Sequence, residues 1–93
     1  MRLSDREVKA IKEVIGEKDI KAKIYLFGSR VDDDKKGGDI DLLIFSEVLS
    51  QEDGWEIRCD LWEKIGEQKI DILIAKDKSH PFTRIALREG VLL

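Results

Sequence analysis

Ninety-three residues, 42% hydrophobic and 40% charged, describe one small domain spanning residues 1–93, because a chain this short hides only about 60–65% of its unfolded surface and has no room for two cores. The 17 Lys and Arg set against 20 Asp and Glu leave a net charge of −3, which argues against a nucleic-acid partner held through a broad basic face. No apolar run exceeds four residues, no secretory stretch opens the chain, and the single cysteine, Cys59, permits neither an internal disulfide nor a cysteine metal cage; no membrane association and a cytoplasmic home are expected.

Ser4 with Glu7 three residues on is a capping box, and Val8, Ile11, Val14 and Ile15 form one apolar stripe ahead of Gly16, so a helix opens the chain. Residues 22–27 (AKIYLF) are β-branched and aromatic, a strand stopped by Gly28-Ser29. Residues 30–38 read as a polar loop or short helix carrying Asp32-Asp33-Asp34 and the solvated Lys35-Lys36. Residues 39–45 (DIDLLIF) are a second strand with Ile40, Leu42 and Ile44 on one face and Asp39, Asp41 and Leu43 on the other. Ser50 caps a second helix over 51–65, ended by Gly66, with Cys59 as a small core hydrophobe and Trp55 and Trp62 two turns apart on one side. Residues 69–75 (KIDILIA) repeat the strand pattern, with Ile70, Ile72 and Ile74 opposite Asp71 and Leu73. His80 is a capping or exposed residue, Pro81 opens a last helix closed by Gly90, and Val91-Leu92-Leu93 is an apolar tail. Helices and strands in this order give a small sheet with helices packed on it.

The aspartates stand where apolar residues belong. Asp39 and Asp41, two apart on a strand, project to one face about 6.5–7 Å apart, and Asp71 joins them if the third strand pairs beside the second. At 4 Å and an effective dielectric near 20 each pair of charges repels by about 4 kcal/mol. No Lys or Arg is expected on that acidic face, so the arrangement calls for an external cation. Hard divalent ions with oxygen ligands fit, and a two-metal site sets its ions about 3.5–4 Å apart. Any one of these residues read alone is a solvated surface carboxylate; the set of three, with Gly28-Ser29, is not. Glycine permits a tight strand exit there, and the serine hydroxyl with nearby backbone N–H groups can hold a phosphate. Arg30 adds a phosphate contact or an ion pair with the run at 32–34.

The segments LFGSRVDDDKKGGDIDLLI and KIDILI, from about residue 24 to 75, resemble the minimal nucleotidyltransferases of the DNA polymerase beta superfamily. The resemblance implies the α/β (α+β) polymerase beta-like core, a small mixed sheet with helices against it. It implies that Gly28, Ser29 and Arg30 bind a nucleoside triphosphate, that Asp39 and Asp41 hold two Mg2+ ions, and that Asp71 completes the catalytic shell and helps activate the attacking hydroxyl. The activity implied is magnesium-dependent transfer of a nucleoside monophosphate, AMP from ATP, to a hydroxyl on a partner protein or partner-presented substrate, with pyrophosphate leaving. Members acting as antitoxins adenylylate a helical toxin and usually place ten residues between Ser and the first Asp. Here there are nine, and Gly38 stands where many relatives have serine, so the antitoxin role of a HEPN/MNT-type pair and a substrate-modifying role both stay open.

Two other classes compete. A non-catalytic subunit could neutralise a helical partner by docking alone, but it has no use for three repelling carboxylates. A terminal transferase acting on RNA would need a basic, aromatic-studded groove that is not visible. By resemblance the partner is a separately encoded helical protein, HEPN-like or a substrate-binding four-helix subunit; larger relatives carry such a domain after the core, and here the sequence stops at Leu93. The broad apolar coverage of residues 51–65 and the 91–93 tail are expected to be surface that a partner, or a second copy, covers.

Overall fold

The computed structural model describes residues 3–31, 38–77, 79 and 81–93, the side chains of Ser29, Pro81, Phe82 and Ala86 apart. The expectations that fall on Asp32-Asp33-Asp34, Lys35-Lys36 and His80 lie outside the described residues.

Helix α1 (Asp5–Lys18) starts at the expected capping box: the Glu7 N–H donates to Ser4 Oγ (3.1 Å) and the Ser4 N–H to Glu7 Oε1 (3.0 Å). It runs on through Gly16 to Asp19, whose N–H reaches the Ile15 carbonyl at 2.9 Å. Strand β1 (Lys23–Phe27) passes directly into a 3-10 turn (Gly28–Val31). Strand β2 (Ile40–Phe45), helix α2 (Asp53–Ile65) and strand β3 (Ile70–Ala75) form one unit: β2 and β3 are parallel, and α2 is the crossover that a parallel pair requires. Helix α3 (Pro81–Glu89) and strand β4 (Val91–Leu92) follow.

The sheet order is β3-β2-β1-β4, with β1 antiparallel to both β2 and β4. Period-two alternation sends Ile24 and Leu26, Ile40, Leu42 and Ile44, and Ile70 and Ile72 to one face, where they meet Ala10, Ile11, Val14 and Ile15 of α1 and Ile57 and Leu61 of α2. Across this helix pair Lys18 binds Glu56 (2.9 Å) and Asp60 (3.4 Å), and Glu56, hydrogen-bonded to it, holds the Lys18 ammonium above its ordinary value. The opposite face carries Lys23, Tyr25 and Phe27, then Asp41, Leu43 and Phe45, then Asp71, Leu73 and Ala75. Leu43 is completely buried there, outside the main cluster, and α3 packs against β1 with Thr83 fully buried. Tyr25 packs edge-to-face on Phe45 at 5.9 Å.

Three expectations need correction. The second helix begins at Asp53, not at 51, and Ser50 does not cap it by its side chain; the Ser50 N–H donates to Asp53 Oδ2 (2.8 Å). Gln51 is drawn away by the free edge of β3, where its Nε2 donates to the Ile72 carbonyl (2.8 Å) and its Oε1 accepts from the Ile74 N–H (2.9 Å). Cys59 is half-buried and outside the core cluster, because Ile57 and Leu61 occupy the inward face of α2. The 91–93 tail is not a loose apolar end: Leu26 pairs with Val91 and Tyr25 with Leu92, the Leu93 N–H donates to the Ile24 carbonyl (2.9 Å), and Leu93 packs on the core. On α2, Trp55 and Trp62 do share a side, edge-to-face at 5.9 Å; Trp62 donates to the Gln68 carbonyl at 2.7 Å and packs on the core, while Trp55 remains 62% exposed.

Gln51 thus acts as a side-chain strand segment along β3, and Arg58 Nε extends the cover by donating to the Ile70 carbonyl (2.8 Å). Gln51→Ala removes one part-buried and one exposed hydrogen bond and should lower unfolding free energy by about 0.5–1.5 kcal/mol, read from equilibrium urea denaturation. A change below about 0.5 kcal/mol would mean that water replaces the amide without loss.

Candidate active site

The acidic end of the sheet is built by strand register. Parallel pairing sets Asp41 directly opposite Asp71, and antiparallel pairing sets Phe27, the last residue of β1, on the other side of Asp41. One step outward the ladder continues through the Ile40 N–H, which donates to the Lys69 carbonyl (3.1 Å), and this brings Asp39 beside Lys69. The Lys69 ammonium lies 3.2 Å from Asp39 Oδ2. The acidic face therefore does carry a cation, contrary to expectation. The cause is positional: Lys69 lies two residues before Asp71, so its side chain projects to the same face although it precedes the strand proper.

The two rungs differ electrically. Asp39–Lys69 is a neutral pair at the surface, and Asp39, with Asp71 and Asp41 further off, holds the Lys69 ammonium above its ordinary value. Asp41 is half-buried and faces Asp71, which is exposed. Burial, and then the Asp71 carboxylate within hydrogen-bonding reach, push the Asp41 carboxyl up from 3.8 to about 6. Among the described residues this like-charge pair has no salt bridge of its own, and Lys69 acts on it only at a distance.

Gly28 supplies the third wall. Its φ of +77° is left-handed backbone, and a Cβ built there would overlap Asp41 Oδ2 and lie 3.2 Å from Asp41 Cγ. Two independent reasons, conformation and contact, thus require glycine at the strand exit. Ser29 follows on the 3-10 turn, its side chain outside the described residues. Arg30, half-buried, donates from Nε to the Gly38 carbonyl (3.3 Å) and so ties together the two ends of the loop between β1 and β2. The expected ion pair between Arg30 and residues 32–34 falls outside the described residues.

The donor set is all carboxylate oxygen, the chemistry of hard divalent cations, and the missing side chain at Gly28 leaves Asp41 accessible from the β1 side. Among the described residues, however, no three acidic side chains already converge as a metal cage. Two of them, Asp41 and Asp71, are in place; the third, Asp39, is held by Lys69. The residues fit a divalent cation once Asp39 is released.

A cavity of about 770 Å3 lies at the other end of the same face, between Lys23, Tyr25, Phe45, Val48, Lys76 and Leu87. Nothing in the sequence marked it, since its lining comes from four separate segments. Its lysines, 21, 23 and 76, are matched by Asp19, Glu47 and Asp77, so it has no net charge to select a phosphate. The perturbed carboxyl is at the Gly28 end, which makes that end the candidate site.

The profile of the family described as "Polymerase beta, Nucleotidyltransferase" matches residues 9–93. No curated protein gives a significant match. Among the described residues no helix is long and apolar enough to cross a membrane.

The raised carboxyl fixes a sign for pH dependence. Between about pH 4 and 6 the folded protein binds a proton at Asp41 that the unfolded chain has released, so this group's contribution to stability falls as pH rises through that window. Without divalent cations, Asp41→Asn should flatten the fall, and its melting temperature should equal or exceed the parent's above pH 6. A variant less stable than the parent at every pH would make Asp41 a structural hydrogen-bonding residue instead. Gly28→Ala should destabilise by about 1–2 kcal/mol or more from the left-handed backbone alone, measured by urea unfolding.

Proposed function

Because the chain belongs to the polymerase beta nucleotidyltransferase family, we propose that it transfers a nucleoside monophosphate, AMP from ATP, to a hydroxyl on a partner protein or on a substrate that a partner presents. The observation that carries the reading is the Asp41–Asp71 rung, two carboxylates face to face, one of them half-buried and set against Gly28. A solvated acidic surface has no reason to press one of its carboxylates into a cradle that only glycine can form.

Magnesium, when bound, supplies neutralisation of the triphosphate and of the departing pyrophosphate oxygen. In this reading Asp39 and Asp41 hold the two ions, and Asp71 completes the shell and orients the acceptor hydroxyl while favouring loss of its proton. Gly28 lets the backbone come close to the phosphates, Ser29 donates to one of them, and Arg30, whose Nε also donates to the Gly38 carbonyl, adds a further phosphate contact. Asp71 is exposed, so the acceptor reaches it from solvent; a helical partner, HEPN-like or of the four-helix substrate-binding kind, is proposed to deliver it. Trp55, large and 62% exposed on α2, supports an apolar contact with such a partner. The antitoxin of a HEPN/MNT pair is one form of this role, exercised in the cytoplasm where ATP and magnesium are abundant.

Magnesium with a non-hydrolysable ATP analogue should stabilise the parent by about 2.7 kcal/mol when free ligand is a hundred times its dissociation constant. Asp41→Asn should lose most of that gain, because a hard cation prefers a carboxylate to a neutral amide. Ser29→Ala should chiefly weaken nucleotide binding, whereas Asp71→Asn should keep binding and lose transfer of labelled nucleotide. Equal loss of binding in both variants would show that the roles are not divided in this way.

A further inference from the structure

Asp39 and Lys69 face one another on the rung next to Asp41 and Asp71, and all four side chains issue from the same side of the sheet. The geometry points to Lys69 as a built-in competitor for the metal: resting on the reading that Asp39, Asp41 and Asp71 take divalent cations, we propose that its ammonium occupies Asp39 in the metal-free protein and must leave before the three carboxylates can converge.

Three observations support this. Lys69 Nζ is 3.2 Å from Asp39 Oδ2, a position in which it satisfies the carboxylate that a cation would need. The described residues contain no gathered triad of acids, although two of the three are already paired, so the pair with Lys69 separates the present arrangement from a complete donor set. The pair is also loose: the Lys69 side chain is 70% exposed and that of Asp39 40% exposed. An exposed ion pair of this kind favours its closed state by no more than about fivefold, enough to bias the site and easily overcome. A structural salt bridge would be more deeply buried and more tightly held.

The consequence is an order of binding. A bare divalent cation must displace one ammonium from Asp39 and then sit beside it. A cation arriving with a triphosphate meets no such penalty, because phosphate oxygens can take the ammonium that Asp39 gives up. Metal and nucleotide then assist one another, and that mutual gain is a coupling free energy carried by Lys69. A site so arranged loads more readily when the nucleotide is present.

The test is calorimetric titration of the purified full chain with Mn2+ alone and with Mn2+ plus a non-hydrolysable ATP analogue. Lys69→Met should bind Mn2+ alone up to about fivefold more tightly, while the gain in Mn2+ affinity on adding the analogue shrinks by a similar factor. Lys69→Arg, which keeps the ion pair, should behave as the parent. In an Asp39→Asn background, Lys69→Met should no longer tighten Mn2+ binding, which separates displacement at Asp39 from a general charge effect. If Lys69→Met folds poorly by circular dichroism, Lys69→Gln serves in its place. Mn2+ binding to the parent with unchanged or weaker binding to Lys69→Met overturns the proposal while leaving the active-site reading intact. No Mn2+ binding by the parent, with or without the analogue, overturns both.

Discussion

The parallel pairing of β2 with β3 is the constraint on which the site depends. A parallel ladder places identical positions of two similar segments side by side, so IDLLIF and IDILIA bring isoleucine against isoleucine and aspartate against aspartate. The isoleucines and Leu42 go to the helix-covered face, where all but the partly buried Ile74 are buried almost completely; the aspartates go to the other. Slipping the register by one residue would send Asp41 into the core and Ile40 out of it. The hydrophobic pattern that stabilises the sheet is therefore the same pattern that forces Asp41 against Asp71. Repulsion at the site is held in place by burial of Ile40, Leu42, Ile70 and Ile72 on the opposite face.

Local devices adjust this arrangement. At the strand exit Gly28 turns through left-handed backbone and leaves room for the Asp41 carboxylate. One rung away Lys69 relieves part of the charge by engaging Asp39. Arg30 joins the loop ends beside the acids. At the far end the Ser46 hydroxyl donates to Asp19 Oδ2 (2.6 Å) and accepts from the Val48 and Leu49 N–H groups, fastening the turn after β2 to the start of β1. The Asp41–Asp71 rung is thus a like-charge contact held on the sheet of a chain that belongs to the polymerase beta nucleotidyltransferase family.

The edges of the sheet are closed by different means. β4 pairs with β1 through only two residues, whereas β3, the other edge strand among the described residues, is covered by Gln51 and Arg58, with Trp62 closing the Gln68 carbonyl just before it. A side-chain amide that donates to one carbonyl and accepts from the N–H two residues on mimics a neighbouring strand without inviting one from another chain. This spends the start of α2: the residues read as its first turn serve β3 instead.

Periodicity and local chemistry were sufficient for much of this molecule. The capping box at Ser4 and Glu7, the apolar stripe of α1, the alternation in residues 40–45 and 70–75, the strand stop at Gly28 and the shared face of Asp39 and Asp41 all follow from interactions between residues a few positions apart. The family, too, was legible in the spacing of Gly28-Ser29, Asp39, Asp41 and Asp71. What required the tertiary structure was every feature that joins distant segments. Lys69 sits 30 residues from Asp39 and just before a strand, and only the Ile40–Lys69 ladder bond brings the two together. The Asp41 shift needs both burial and a neighbour on another strand; Gln51 on β3, Val91-Leu92 on β1 and the displacement of Cys59 from the core each depend on which surface arrives opposite. A sequence records which way a side chain points along its own element, but not what the fold places in front of it.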